Sequence, residues 1–131
     1  MPAPPARVFQ ALDTDDGRAS FWAESARERD GAIEFAFVNG HRVRCAVLER
    51  EAPRVFALDY FGAVARFELT PDGRGGTDLL LTQEGVPPAE WNEVHAGWLN
   101  VLFPLKAWLA FGVDLRNHDR MRTWDEGYAD Q

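Results

Sequence analysis

The stretch GWLNVLFPLKAWLAFG at residues 97–112 constrains the fold more than any other part of the chain. It is rich in tryptophan, leucine and phenylalanine, but Asn100, Pro104 and Lys106 interrupt it. A helix that spans a bilayer needs about 20 mostly apolar residues. This stretch is too short and too polar to meet that need, so we expect no membrane association and predict that it packs against the protein's own core.

The stretch is the second half of a longer helical pattern. Apolar side chains recur along it three or four positions apart, which is typical of an α-helix with one buried face. We predict one helix over residues 89–112, with Gly112 at its end. Because Pro104 removes a backbone hydrogen bond and crowds the preceding turn, we also expect a kink near residues 100–103.

The chain before this helix alternates in the manner of β-strands. Apolar residues occupy every second position in runs such as 33–37 and 43–47, so each run has one buried face. Pairs such as Asp30-Gly31 and Asn39-Gly40 separate the runs and are strong signals for tight turns. We therefore predict an antiparallel meander of about five to six strands.

The N-terminal residues indicate short helices. PPARVFQALD combines prolines at a helix start with one apolar stripe, and a second short helix or turn follows at residues 18–22. An antiparallel sheet with helices on one side is an α+β fold. Because the chain offers no second long helix as a packing partner, we expect the twisted sheet to curl around the C-terminal helix.

Length, charge and cysteine content limit the possible functions. A chain of 131 residues fits a single domain, with its core over residues 5–112 and a tail over 113–131 that packs on the body. The net charge of −7 opposes nucleic-acid binding, which requires a basic face. Cys45 is the only cysteine, so no internal disulfide or multi-cysteine metal site can form. The first residues lack the pattern of a signal peptide, and we expect a cytoplasmic protein.

Motifs of common enzyme classes are absent from the sequence. There is no glycine-rich phosphate loop, no nucleophile elbow and no metalloprotease motif. The three histidines, His41, His95 and His118, are far apart. Asp114 and His118 have i, i+4 spacing, but two ligands are too few for a metal site. We predict no catalytic residue, no metal and no cofactor.

A cavity between sheet and helix is the main functional candidate. A twisted sheet and a straight helix do not fit evenly, so the space between them is either filled by side chains or left open to a ligand. A buried Tyr60 hydroxyl needs a partner, and Gln83 is either that partner or a ligand contact. His95 is either a polar group in the cavity wall or an exposed helix residue. The predicted lining residues are Phe35, Phe37, Val47, Phe56, Leu58, Tyr60, Phe67, Leu81, Gln83, His95, Trp98, Leu102 and Leu105.

Four stretches together point to a known family: PPARVFQALD, APRVFALDYF, GGTDLLLTQEGVP and HAGWLNVLFPLKAWL. In order and spacing they resemble the START-like helix-grip superfamily, also called SRPBCC. Within it they are most similar to the family of the activator of the heat-shock protein 90 ATPase. The resemblance covers residues 5–112 and implies a curved antiparallel sheet wrapped around a long, kinked C-terminal helix.

The sequence departs from the family pattern at both ends. Family members usually begin with a strand, but only MPAP precedes the first helix here. The tail is longer than a plain family ending, and we expect Trp124 and Tyr128 to fold back onto the body. Because exposed sheet edges invite pairing with other chains, either the tail covers the edge left by the missing strand or the protein dimerises through that edge.

The resemblance leaves three functions open. The first is a non-catalytic binding domain for a small hydrophobic or lipid-like ligand. The second, implied by the family name, is a protein-interaction module that activates a chaperone ATPase in a stress response. The third is an enzyme like the cyclases and aromatases of the superfamily, which needs an acid or base aimed into the cavity. Gln83, Tyr60 and His95 are the only candidates for that role.

Overall fold

Six antiparallel strands form one sheet and are hydrogen-bonded in the order in which they occur along the chain. The computed structural model describes residues 1–131. The sheet confirms the predicted meander and, together with the helices, the α+β helix-grip fold. The strands are β1 (Ser25–Arg29), β2 (Ala32–Ala36), β3 (Arg42–Glu51), β4 (Val55–Tyr60), β5 (Ala63–Pro71) and β6 (Thr77–Glu84).

Two-residue turns close the first and fourth hairpins. Asp30 and Gly31 join β1 to β2 with φ angles of 50° and 74°, as the Asp-Gly signal predicts. Phe61 and Gly62 join β4 to β5 with φ angles of 54° and 79°. The sequence predicts a turn at this Phe-Gly pair, although phenylalanine is unusual in the left-handed region, where its Cβ is crowded.

The long helix, α3, spans Trp91–Phe111 and ends at Gly112, whose φ of 66° is left-handed. The predicted helix over 89–112 is therefore confirmed, with a start two residues later. A single 3₁₀ turn over Pro88–Glu90 precedes it. Pro104 lies inside α3, which continues through it as one helix, and the predicted kink stays a prediction.

Two short helices, α1 (Pro5–Asp13) and α2 (Asp15–Ala19), fill part of the hollow of the sheet. Val8 and Leu12 of α1 are completely buried, and the Phe9 ring meets the Phe56 ring edge-on at 6.3 Å. Arg18 of α2 is also completely buried. Its guanidinium donates to the carbonyl oxygens of Leu12 at 3.0 Å and Ala26 at 3.0 Å, which ties the helices to β1.

The first residues of the chain occupy only the beginning of the free β6 edge. The Thr77 amide donates to the Met1 carbonyl at 2.9 Å, and the Thr77 hydroxyl donates to the Ala3 carbonyl at 2.7 Å. No strand precedes α1 in residues 1–4, as predicted. Beyond Thr77, no backbone hydrogen bond reaches the outer side of β6.

The tail takes a different path from the one expected. Arg116 donates to the Ala19 carbonyl at 2.6 Å, and Asn39 donates to the Asp125 carboxylate at 3.0 Å. These contacts hold the tail beside α2 and the turn between β2 and β3, so it does not cover the free β6 edge. The physical reason is that Arg116 and Asp125 of the tail form hydrogen bonds with Ala19 and Asn39, which lie away from β6.

Candidate functional site

A cavity of about 460 Å³ lies between one end of the sheet and the first half of α3. Its walls come from the turn between β4 and β5, the end of β6, the turn between β2 and β3, and the tail. Of the 25 lining residues 12 are hydrophobic, and they share the walls with polar and charged side chains; apolar walls with polar groups among them are typical of binding sites for small molecules. The lining includes Trp22, Phe37, Val38, Tyr60, Phe61, Gln83, Val86, Val94, Gly97, Trp98, Val101 and Trp124.

Four of the predicted residues line this cavity, namely Phe37, Tyr60, Gln83 and Trp98. The other nine lie outside it, and the prediction is corrected for them. Helix α1 and the aromatic rings fill the middle of the sheet's hollow, so side chains there pack as core. The residues outside the cavity are Phe35, Val47, Phe56, Leu58, Phe67, Leu81, His95, Leu102 and Leu105.

His95 is exposed on α3. It borders a shallow depression beside Trp91, Asn92 and Val94 instead of the cavity. Of the two predicted environments for this histidine, the exposed helix residue is the one that the structure shows. His95 is therefore not one of the residues that line the cavity.

Three aromatic rings form the inner wall of the cavity. The ring centroids of Tyr60 and Trp98 are 4.9 Å apart, those of Trp22 and Tyr60 are 5.5 Å apart, and those of Trp22 and Trp98 are 5.8 Å apart. Tilted and edge-on pairs at these separations add stability beyond the area that they bury. The three rings therefore pack against one another, and all three line the cavity.

Gln83 holds two parts of this wall together. The Trp98 indole donates to the Gln83 side-chain oxygen at 2.7 Å, and the Gln83 side-chain nitrogen donates to the Tyr60 main-chain carbonyl at 3.0 Å. Both ends of the amide are therefore occupied. The predicted pairing of Gln83 with the Tyr60 hydroxyl is wrong, because the amide binds the backbone of Tyr60 instead.

The Tyr60 hydroxyl takes Trp22 as its partner. The Trp22 indole donates to the Tyr60 hydroxyl oxygen at 3.1 Å, and the hydrogen bonds of the chain include none in which that hydroxyl donates. Burial raises the pKa of Tyr60 well above its usual value. The hydroxyl therefore remains protonated at neutral pH and is a donor with no acceptor in the cavity wall.

Phe61 forms part of the cavity rim in a strained conformation. Its φ of 54° disfavours a bulky side chain, and such strain persists only where surrounding contacts hold it. The ring packs edge-on against Tyr60 at 4.8 Å and lies 6.2 Å from the Phe37 ring. These contacts keep a large apolar side chain, 54% exposed, at the mouth of the cavity.

The tail supplies one side of the mouth, which sequence reasoning missed. Trp124 and Asp125 line the cavity together with residues of the sheet and of α3. Tyr128 instead remains 42% exposed, with the Arg122 guanidinium over its ring at 5.7 Å. The sequence signal for this arrangement is a tryptophan in a mostly polar tail.

An ion cluster fastens the tail to the body. His118 lies between the carboxylates of Glu24, at 2.6 Å, and Asp114, at 2.9 Å. Partial burial opposes the charged imidazolium, but these two contacts outweigh it and raise the pKa of His118. Burial also opposes ionisation of Asp114, yet its hydrogen bonds with Arg116 prevail and lower the pKa of Asp114 to about 2.

The histidine and carboxylates of this cluster do not make a metal site. No group of three or more histidine, cysteine, aspartate or glutamate side chains is arranged to hold a metal ion. Cys45 is completely buried, and burial raises the pKa of its thiol to about 11. A thiol in that state is a poor nucleophile at neutral pH.

None of the helices combines the length and hydropathy that crossing a bilayer requires.

The family of the chain follows from its sequence together with this architecture. Residues 2–110 match the family described as activator of Hsp90 ATPase homolog 1-like protein. The protein belongs to this family. The assignment agrees with the helix-grip resemblance of the four sequence stretches. Comparison of the sequence with curated proteins finds no significant match.

Solved structures with the same fold have low sequence identity to this chain. The crystal structure of SSP2350 from Staphylococcus saprophyticus has a TM-score of 0.77 at 20% identity, covering 88% of this chain and 90% of that one. The Aha1 dimer from Colwellia psychrerythraea has a TM-score of 0.73 at 22% identity, covering 86% and 92%. CalU16 from Micromonospora echinospora has a TM-score of 0.67 at 23% identity, covering 86% and 73%.

Proposed function

We propose that this protein binds a small hydrophobic or lipid-like molecule in the cavity between sheet and α3, without transforming it. The observation that carries the proposal is the aromatic cavity of about 460 Å³, a volume within the usual range for small-molecule sites. Core side chains do not fill the space at this end of the sheet, which leaves it open to a ligand.

The polar groups of the lining favour binding over catalysis. The oxygen and the nitrogen of the Gln83 amide each bind a wall residue, Trp98 and Tyr60, and His95 lies outside the cavity. Tyr60 is protonated at neutral pH, and burial raises its pKa further, so it can orient a ligand through a hydrogen bond but is a poor general base. A cyclase-like or aromatase-like reaction would need a group with a better-matched pKa.

Intrinsic fluorescence provides a direct test, because Trp22, Trp98 and Trp124 all line the cavity. We expect 6-phenylhexan-1-ol to shift the tryptophan emission saturably. At 100 times its dissociation constant it should also add about 2.7 kcal/mol to the free energy of unfolding. If neither the emission nor the unfolding temperature changes up to the solubility limit of the alcohol, the proposal is wrong.

The free edge of β6 favours a second role, pairing with another copy of the chain. Because the amide of Thr77 points outward to Met1, the alternation of an antiparallel strand also points the backbone groups of Leu79 and Leu81 outward. These groups have no partner, and Leu80 beside them is 58% exposed. Unprotected edges of this kind pair with other strands, and one structural neighbour of the chain is a dimer.

Light scattering after size-exclusion chromatography tests this pairing. We expect a concentration-dependent dimer that Leu80→Lys converts to monomer, since an edge lysine opposes strand pairing. Leu48→Lys is the matched control, because Leu48 is 53% exposed on β3, inside the sheet order. A monomer at all concentrations, or equal effects of the two variants, would remove the dimer.

The family description suggests a further partner, a chaperone of the heat-shock protein 90 class. A function in the stress response would then follow from the chaperone and not from the cavity. The measurement is the ATPase rate of such a chaperone with and without this protein. A rate that stays constant at saturating protein would dismiss this role and leave ligand binding unaffected.

A further inference from the structure

The charged side chains of the cavity lining are acidic. Four of its side chains carry carboxylates, whereas none of the 14 lysines and arginines of the chain belongs to it. His41 is the single lining side chain able to take a positive charge. The carboxylates are Glu24, Glu90, Glu93 and Asp125.

Two of these carboxylates are free to meet a ligand. Glu24 accepts a hydrogen bond from His118, and Asp125 accepts one from Asn39. Glu90 and Glu93 take part in none of the side-chain hydrogen bonds or ion pairs of the chain, and both are exposed at the mouth. The helix dipole explains acidic residues in the first turn of α3, but it does not explain why basic residues are missing from the whole lining.

The aromatic rings of the cavity wall favour a positively charged ligand, as the carboxylates do. The faces of tryptophan and tyrosine rings attract cations, and aromatic cages recognise substituted ammonium groups in this way. Trp22, Tyr60 and Trp98 form the inner wall, while Phe61 and Trp124 stand nearer the mouth. At the mouth, an anionic head group would meet two free carboxylates and aromatic rings, with no lysine or arginine in the lining to compensate them.

We propose that the cavity selects hydrophobic amines, compounds with an apolar body and a positively charged nitrogen, and discriminates against carboxylates such as fatty acids. This rests on the proposed function, since it specifies the ligand of the same cavity. The apolar body lies against the aromatic wall, and the ammonium group lies at the mouth beside Glu90 and Glu93. An uncharged analogue binds with intermediate affinity.

Three ligands that share one body test the selectivity. We choose 6-phenylhexylamine, 6-phenylhexan-1-ol and 6-phenylhexanoate, and measure dissociation constants by calorimetry and tryptophan emission at low salt. The amine is expected to bind at least about tenfold more tightly than the carboxylate, a difference of about 1.4 kcal/mol. Raising the salt concentration should reduce this ratio, because exposed carboxylates are screened.

A pair of variants locates the origin of the selectivity. Glu90→Gln with Glu93→Gln should lower the amine-to-carboxylate ratio to about threefold or less, because exposed charge pairs each contribute up to about 1 kcal/mol. The matched control is Asp16→Asn with Asp78→Asn, which changes the net charge equally at exposed positions outside the cavity. The control should keep the ratio of the original protein, and unfolding midpoints verify that both variants fold.

The outcomes separate this inference from the proposed function. If the carboxylate binds as tightly as the amine, the charge selectivity is wrong while ligand binding stands. If both variant pairs change the ratio equally, overall charge and not the cavity mouth causes it, which also overturns the inference. If none of the three compounds binds, the proposed function itself fails.

Discussion

Gly97 offers a way to close the cavity without disturbing the fold. It lies inside α3 and lines the cavity, and a Cβ atom built on it meets no other atom within 4 Å. Glycine in the interior of a helix costs about 1 kcal/mol relative to alanine. Gly97→Ala should therefore raise the free energy of unfolding by about 1 kcal/mol, or the melting temperature by about 4 °C for a domain of this size.

Gly97→Phe uses the same open space for a larger group. A cavity of roughly 150 Å³ holds a benzene molecule, so a benzyl side chain would occupy about a third of the 460 Å³ available. Phenylalanine is about 0.5 kcal/mol less favourable than alanine in a helix, which still leaves it better than glycine. We expect unfolding free energy equal to or above that of the original protein, together with an at least tenfold loss of affinity for 6-phenylhexan-1-ol.

Thermal unfolding and calorimetry measure the two effects on the same samples. Gly97→Ala is the control, since a methyl group leaves most of the cavity open and should preserve ligand affinity. A Gly97→Phe variant that is destabilised by more than about 1 kcal/mol would mean that the space at Gly97 is not open. A stable variant that still binds the alcohol as before would show that the ligand lies elsewhere.

Two further changes test the cavity wall and the tail. Tyr60→Phe removes the acceptor of the Trp22 indole and should lower the free energy of unfolding in urea by about 1–3 kcal/mol, whereas Tyr128→Phe in the exposed tail should leave it unchanged. The contacts of His118 with carboxylates raise its pKa. Their contribution to stability is fully present below the ordinary histidine pKa of 6.5 and is lost as the pH rises through the raised pKa. The measurement is the protection of the tail amides from hydrogen exchange, corrected for the intrinsic exchange rate. This protection should fall with rising pH in the original protein and in the control His95→Gln, but not in His118→Gln. Equal pH profiles in all three proteins would refute the contact.

The sequence was sufficient for the elements and their order. Alternation with a period of two depends on which neighbours along one strand face the core, and Asp30-Gly31 determines a turn through its own φ preferences. The spacing in α3 and the glycine at its end are likewise local signals. Because these patterns act over a few residues, they predicted the meander and the long helix to within two residues at the start of α3.

The place of the cavity could not be predicted in this way. Phe56 and Phe67 alternate in their strands as regularly as Tyr60 does, yet they are completely buried in the core, whereas Tyr60 lines the cavity. The difference is that α1 fills the hollow at their end of the sheet, where Phe9 meets Phe56. No pattern within a strand records which part of a sheet a distant helix covers.

The partners of the polar groups were also decided by the tertiary structure. Sequence reasoning paired Gln83 with the Tyr60 hydroxyl, but the Trp22 indole donates to that hydroxyl and Gln83 binds the Tyr60 backbone. The tail lies at the cavity mouth because Arg116 donates to the Ala19 carbonyl and His118 binds the Glu24 carboxylate. Both partners are distant from the tail in sequence. Periodicity thus specifies which side of an element is buried, whereas contacts between residues distant in sequence depend on how all the elements fill space together.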